Sequence, residues 1–205
     1  MSVSKRLFMV WIVLGLTMGV GVVSSTQAQS SGVLGIYFDD RASKCSDTFS
    51  IGQSRTLWVM LLPEGDTRGG ITTAEFRIVT SGASGYSFST PVVALPTSNS
   101  FAFGNAFKEG MSVASPNCET RQPLPIVRFT VTNMSGGRDA TLEIAERSPP
   151  GNRDFPCPLV TLCDYPVFTK VCITPDRAVL NPSGGLRCGI SSEQSDWGRV
   201  KELYR

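Results

Sequence analysis

FPCPLVTLCDYPVFTKVC, from Phe155 to Cys172, places three cysteines within sixteen residues. Their use decides what kind of molecule the chain builds: a metal site, a redox centre or a set of crosslinks. Zinc sites need spacings such as C-x₂-C and usually a histidine. Here the gaps running on to Cys188 are five, eight and fifteen residues, and the chain has no histidine at all. A redox pair would show C-x-x-C beside a helix that lowers one thiol's pKa, and neither feature is present. Structural crosslinks remain. The six cysteines, Cys45, Cys118, Cys157, Cys163, Cys172 and Cys188, form an even set and predict three disulfides in an oxidising compartment. No metal and no cofactor is implied. Six cysteines allow fifteen pairings. Proximity favours Cys157 with Cys163, closing a small loop around Pro158, while pairing among Cys45, Cys118, Cys172 and Cys188 stays open. The stretch then reads as a stapled loop leading into a strand.

The start of the chain agrees with that compartment. Lys5 and Arg6 precede seventeen uncharged, mostly apolar residues from Leu7 to Val23, and small and polar residues follow. This is the layout of a secretory signal peptide, with cleavage expected after Ala28. The rival, an uncleaved anchor, sits at the lower length limit for spanning a bilayer. Loss of residues 1–28 removes two basic residues and no acid, so 19 − 2 = 17 bases meet 17 acids. The expected product is a formally neutral secreted protein, extracellular, at the cell surface or periplasmic. Such a balance carries no footprint for nucleic acid. After signal removal no apolar run is long enough to cross a membrane.

Strand signals fill the middle of the chain. VLGIYF (33–38), TLWVMLL (56–62), ITTAEFRIV (71–79), IVRFTVTN (126–133), TLEIAE (141–146), FTKVCIT (168–174) and AVLN (178–181) are runs of β-branched and apolar residues bounded by turn formers. Ala74, Phe76 and Ile78 alternate with Glu75 and Arg77, and Val127, Phe129 and Val131 alternate with Arg128 and Thr130. That is the pattern of sheets with one face on a core and one in water. TLWVMLL alone looks buried on both faces, as a central strand would be. MSGGRD, after Asn133, reads as a hairpin loop. YSF (86–88) and FAFGNAF (101–107) are shorter candidates within a Gly/Ser/Asn/Pro-rich stretch. The fold class expected is all-β: an antiparallel immunoglobulin-like or cohesin-like β-sandwich over residues 29–182.

Residues 183–205 differ in character. A loop-like PSGGLRCGISSEQ ends in SDWGRVKELYR, where Asp196 caps a short amphipathic helix with Trp197, Val200, Leu203 and Tyr204 on one face. So short a helix needs a surface, either the protein's own sandwich or a partner or export component, and without one the segment is disordered.

GIYFD, ITTAEFRIV, the CPLVTLCDYPVFTKVC block and the closing WGRVKELYR together resemble a set of small secreted proteins encoded by uncultured bacteria. The resemblance implies export and an immunoglobulin-like or cohesin-like sandwich. It brings no activity and no functional residue with it.

Catalytic signatures are scarce. Without histidine the Ser-His-Asp and Cys-His arrangements fall away, and no S-x-x-K motif precedes Lys44, Lys108, Lys170 or Lys201. GISSE and GASGY lack the strand-to-helix setting of a nucleophile elbow. Asp39, Asp40 and Asp47 could gather around calcium but lack an EF-hand spacing, and fit a solvated turn better. Asn133-Met134-Ser135 matches a glycosylation sequon by chance. Two functions remain. The first is a noncatalytic interaction module engaging another extracellular protein through its loops or terminal helix. The second is a carbohydrate-binding module using aromatics among Trp58, Tyr86, Phe88, Phe101, Phe103 and Phe107, with Trp58 itself expected in the core.

Overall fold

The computed structural model describes residues 31–151 and 154–184. The signal segment 1–28, Cys188, and the terminal helix expected around Trp197, Val200, Leu203 and Tyr204 lie outside the described residues.

Among the described residues fourteen strands appear in order: β1 (Gly32–Tyr37), β2 (Ser46–Asp47), β3 (Ser54–Pro63), β4 (Ile71–Ser81), β5 (Tyr86–Phe88), β6 (Val92–Val93), β7 (Phe101–Asn105), β8 (Gly110–Glu119), β9 (Leu124–Asn133), β10 (Ala140–Ala145), β11 (Leu159–Leu162), β12 (Lys170–Cys172), β13 (Thr174–Pro175) and β14 (Arg177–Leu180). One 3₁₀ turn (Gly65–Gly69) joins β3 to β4, and no α-helix occurs among the described residues. The first sheet runs β13-β1-β3-β9-β5, with β6 also on β9. The second runs β12-β11-β4-β10-β14-β2, with β8 on β4 and β7 outside β8.

Period-two patterning explains the core. Ala74, Phe76 and Ile78 on β4 are buried, as are Val127, Phe129 and Val131 on β9, while their alternates face outward. Leu34, Ile36, Leu57, Val59 and Leu61 from the first sheet join Met111, Val113, Leu142, Ile144, Val160 and Leu180 from the second in one apolar cluster. β3 lies between β1 and β9, the central place its composition predicts.

Several expectations need correction. The sheets are mixed rather than antiparallel throughout, because β1 pairs with β13 and β14 with β2 in parallel. The run 168–174 is not one strand: Phe168 adopts φ 53°, β12 spans three residues, and the chain then changes sheet. MSGGRD is no hairpin loop, since β9 belongs to the first sheet and β10 to the second. Trp58 is only half-buried and points away from the main core, toward a satellite cluster of Tyr37, Cys45 and Met60. β8, in the Gly/Ser/Asn/Pro-rich stretch where only YSF and FAFGNAF are strand candidates, is a ten-residue strand.

Phe76 is fully enclosed, whereas Phe103 sits on the edge strand β7. Urea unfolding should show Phe76→Ala losing about 3–5 kcal/mol and Phe103→Ala changing stability by no more than about 0.5 kcal/mol.

Candidate interaction surface

The sixteen-residue stretch turns out to be a β-hairpin closed by disulfides at both ends. β11 and β12 pair with Leu159 opposite Cys172 and Thr161 opposite Lys170. Cys157 bonds to Cys172 across the open end (Cα–Cα 5.6 Å). Cys163, at the turn end, bonds to Cys118 at the end of β8 (Cα–Cα 5.7 Å). The Cys157–Cys163 pairing expected from proximity does not form, for a geometric reason. β11 lies extended between the two, and four strand residues at about 3.3 Å each hold them well beyond the roughly 7 Å a disulfide can span. Cys45 is disulfide-bonded as well.

Gly70 makes the second staple possible. A Cβ there would lie 2.5 Å from Cys118 Sγ, and its φ is +100°, so only glycine fits beneath the bond. Its carbonyl also accepts the Cys163 amide at 3.2 Å.

Between the staples the chain turns through Asp164–Thr169. The Asp164 carbonyl accepts the amides of Val167 (2.8 Å) and Phe168 (3.2 Å). Its carboxylate accepts the Thr169 amide at 2.7 Å and the Thr169 hydroxyl. Those Thr169 bonds hold the Asp164 carboxyl below the usual carboxylate range. The turn projects its apolar side chains outward: Tyr165 is 82% exposed, Val167 74% and Phe168 43%. The Tyr165 and Phe168 rings meet edge to face at 5.6 Å. An aromatic residue in the left-handed region is strained, at about 1–3 kcal/mol, and persists only when its surroundings over-determine it. The staples and the Asp164–Thr169 bonds supply that constraint at Phe168.

The outer face of the second sheet continues from this tip. One row crosses it as Phe101–Ala114–Thr73–Thr161–Lys170 and another as Phe103–Ser112–Glu75–Leu159–Cys172. Thr73 and Thr161 hydrogen-bond through their hydroxyls at 2.6 Å. Arg147, Pro150, Gly151 and Phe155 gather against Glu75 and Leu159 over the second row, leaving Phe101 and Phe103 open at the edge, with rings 5.2 Å apart.

Of the aromatics considered for a sugar platform, Phe101 and Phe103 are exposed and Trp58 is half-buried. Phe107 packs with Phe88 and Phe129 against the core, and Tyr86 is buried with its hydroxyl donating to Gly137 O at 2.6 Å. The acidic residues are already engaged. Asp39 accepts the amides of Arg41 (2.8 Å) and Ser43 (3.0 Å); partial burial pushes its carboxyl up, but the bonds from Ser43 and Arg41 outweigh that and lower it. Asp47 likewise resists a raising effect of burial through Lys44 and Arg55, each 2.6 Å away. No cluster of three potential metal ligands occurs among the described residues. Asn133, in the sequon, is buried: its amide nitrogen donates to Phe49 O (2.9 Å) and its oxygen accepts the Gly136 amide (2.8 Å), which leaves no access for a glycan. A concavity of about 750 Å³ beside it is walled in part by Asn133 and Asn181, whose side chains are likewise committed to backbone groups.

Sequence reasoning missed Tyr165, Val167 and Phe168. The available signal was three apolar residues in a proline-containing turn between two closely spaced cysteines, a place that cannot be core.

Neither a family model nor a curated protein matches the chain. Among solved structures, it is similar to the sixth cohesin of scaffoldin B from Acetivibrio cellulolyticus, solved in complex with a Cel5 dockerin mutant. The TM-score is 0.50 and identity 15%, over 75% of this chain and 100% of that one. It is similar also to the cohesin module of a family 33 glycoside hydrolase from Clostridium perfringens, with TM-score 0.50 and identity 12%, over 76% and 100% of the two chains. At such identities the likeness is one of fold: a cohesin-like β-sandwich.

Peptide mapping without reduction should recover Cys118 linked to Cys163 and Cys157 linked to Cys172. Replacing both members of a pair by serine should lower stability by about 4 kcal/mol for the 45-residue separation and about 3 kcal/mol for the 15-residue one. Because the Asp164 carboxyl is lowered in the folded chain, its support of the turn is fully present above the unfolded value of about 3.9. It is lost as pH falls through the folded value. The Thr169 amide resonance should therefore titrate below the ordinary carboxylate range, and that titration should vanish in Asp164→Asn.

Proposed function

We propose that the chain is a noncatalytic extracellular protein-interaction module, and that the stapled tip carrying Tyr165, Val167 and Phe168 is its principal contact. One observation carries this reading: Tyr165 and Val167 stand in water with the half-exposed Phe168 ring beside Tyr165, on the turn of a hairpin that Cys118–Cys163 anchors at the turn and Cys157–Cys172 closes at its open end. Full burial of a side chain of the size of Val167 is worth roughly 1.5–3 kcal/mol, most of which is given up here, and a folded chain gains nothing by constraining such groups in water. A partner does gain. Aromatic anchors already fixed in place lose little conformational freedom on docking, and contact energy concentrates in such residues. The matching partner is a protein with an apolar recess into which Tyr165 and Phe168 insert. Phe101 and Phe103, along the same sheet, extend the contact.

The cohesin-like fold supports a protein partner in general, since a cohesin of this architecture has been solved with a dockerin. The disulfides support an oxidising location. The absence of histidine and the engagement of Asp39, Asp47 and Asp164 in turn-forming or ion-pair contacts favour binding over catalysis.

Affinity capture from the producing cells' culture medium and envelope, using the wild-type chain and Tyr165→Ala/Phe168→Ala as baits, tests the reading. The wild type should retain a protein that the double variant loses, with an affinity loss of at least about tenfold, or 1.4 kcal/mol. Equal retention by both baits, with circular dichroism unchanged, would remove the tip from the contact.

A further inference from the structure

The opposite face of the sandwich holds a different kind of site. On the outer side of the first sheet, a recess of about 280 Å³ is lined by Trp58, Arg128, Arg121 and Asp40, with Val93 and Pro125 at its sides. Trp58 and Arg128 stand directly opposite on β3 and β9, and the guanidinium carbon lies 5.7 Å from the indole centroid. Arg121 arrives separately, from the turn between β8 and β9. The ion pairs among the described residues are Lys44–Asp47 and Arg55–Asp47, so neither recess arginine is neutralised by an acid. Asp40 belongs to the turn that the Asp39 carboxylate ties down through Arg41 and Ser43, which places its backbone beside the recess.

A cation–π pair across two strands is a common way to cover a surface tryptophan, and it accounts for Arg128 alone. It leaves unexplained a second unpaired guanidinium, the Asp40 carboxylate at the rim, and a concavity between them. The chemistry that uses all four groups is specific. Two guanidiniums suit a carboxylate, which they bind by charge-assisted, bidentate hydrogen bonds. The half-exposed indole offers an apolar face to C–H groups. Asp40 repels a ligand that is only anionic, but it accepts hydrogen bonds from hydroxyls. A carboxylate beside a set of hydroxyls on a compact ring is a uronic acid. The recess lies just below the usual range of small-molecule pockets, about 300–1,000 Å³, which suits one sugar ring rather than a long segment of peptide.

We infer that this recess binds a uronate residue of an acidic extracellular polysaccharide, with Arg121 and Arg128 on the carboxylate, Trp58 beneath the ring and Asp40 on its hydroxyls. The site is separate from the hairpin tip, on the other sheet, and does not rest on the tip's role.

The exported chain, titrated with oligogalacturonate, should show a saturable change in tryptophan fluorescence that is weakened by salt. Neutral galacto-oligosaccharide of the same length should give none. Arg121→Gln/Arg128→Gln should reduce affinity at least roughly tenfold, in line with losing one charge-assisted bond. Trp58→Phe should abolish the optical signal while calorimetry still detects weaker binding. Tyr165→Ala/Phe168→Ala should leave uronate binding unchanged, which separates this site from the tip. Three results would overturn the assignment: no binding up to roughly 1 mM ligand, equal affinity in the double arginine variant, or polyglutamate binding as tightly as the uronate. The last would make the ligand an acidic protein segment.

Discussion

One short piece of backbone ties the two sheets into a single body. From Lys170 to Leu180 the chain runs on the second sheet as β12, crosses to lie parallel to β1 as β13, and returns as β14. At the crossing, the Asp176 amide donates to Leu34 O in the first sheet (2.9 Å) while its carbonyl accepts the Ile144 amide from the second (3.2 Å). A buried peptide group must have its partners, and these belong to different sheets, so the sheets cannot slide apart at this edge without orphaning one of them. The Asp176 side chain adds to the lock, accepting the Tyr37 hydroxyl at 3.4 Å. Burial first, and then the neighbouring Asp176 carboxylate, push the Tyr37 phenol well above its ordinary range, so it stays a neutral donor across the physiological range.

The crossing also explains the disulfides. A strand that must leave its sheet after three residues has little ladder to hold it, and β12 keeps only the pairs from Leu159–Cys172 to Thr161–Lys170. The Cys157–Cys172 bond secures the point where β12 departs. Cys118–Cys163 secures the other end to β8, across the start of β4. Rigidity at the tip is therefore a consequence of how the sandwich closes, and the exposed aromatics inherit it. Stability and presentation use the same two bonds.

How much of this was legible in the sequence depends on the kind of information each feature needs. Strands with strict alternation, such as Ala74–Phe76–Ile78 and Val127–Phe129–Val131, announce their buried face because the period of two is a local property. β8 does not, because Ser115, Pro116 and Asn117 belong to a strand only by virtue of lying along β4, where register shifts between Ile71 and Thr73 accommodate them. The disulfide pairing was hidden for a similar reason. Nearness in sequence favoured Cys157 with Cys163, but the extended residues between them make close neighbours in the chain distant in space. Trp58 misled by composition: TLWVMLL is central in the sheet, yet one of its faces meets a satellite cluster and solvent rather than the core. The use of cysteines as crosslinks and the sandwich class were legible, since the absence of metal or redox spacings and the turn-bounded strands carry them without tertiary knowledge.

The two outer faces follow from the same architecture and differ in chemistry because different things cover them. The first sheet is overlaid on one side by the turn after β1, where Ala42 and Cys45 pack on Tyr37 and Met60. This turn leaves a recess at its margin, walled by Arg128 from β9 and by Asp40 and Arg121 from flanking turns. The second sheet is overlaid near Glu75 and Leu159, and its open parts are an edge strand and a stapled turn, both aromatic. A recess lined by charges selects a small ligand by hydrogen-bond complementarity, while a projecting aromatic tip selects a partner by the cavity it can enter. A sandwich whose interior is closed can thus present two unlike surfaces without compromising its core, because the residues that make them either point outward from strands, as Trp58, Arg128, Phe101 and Phe103 do, or sit on turns beyond the strand ends, as Asp40, Arg121, Tyr165 and Phe168 do.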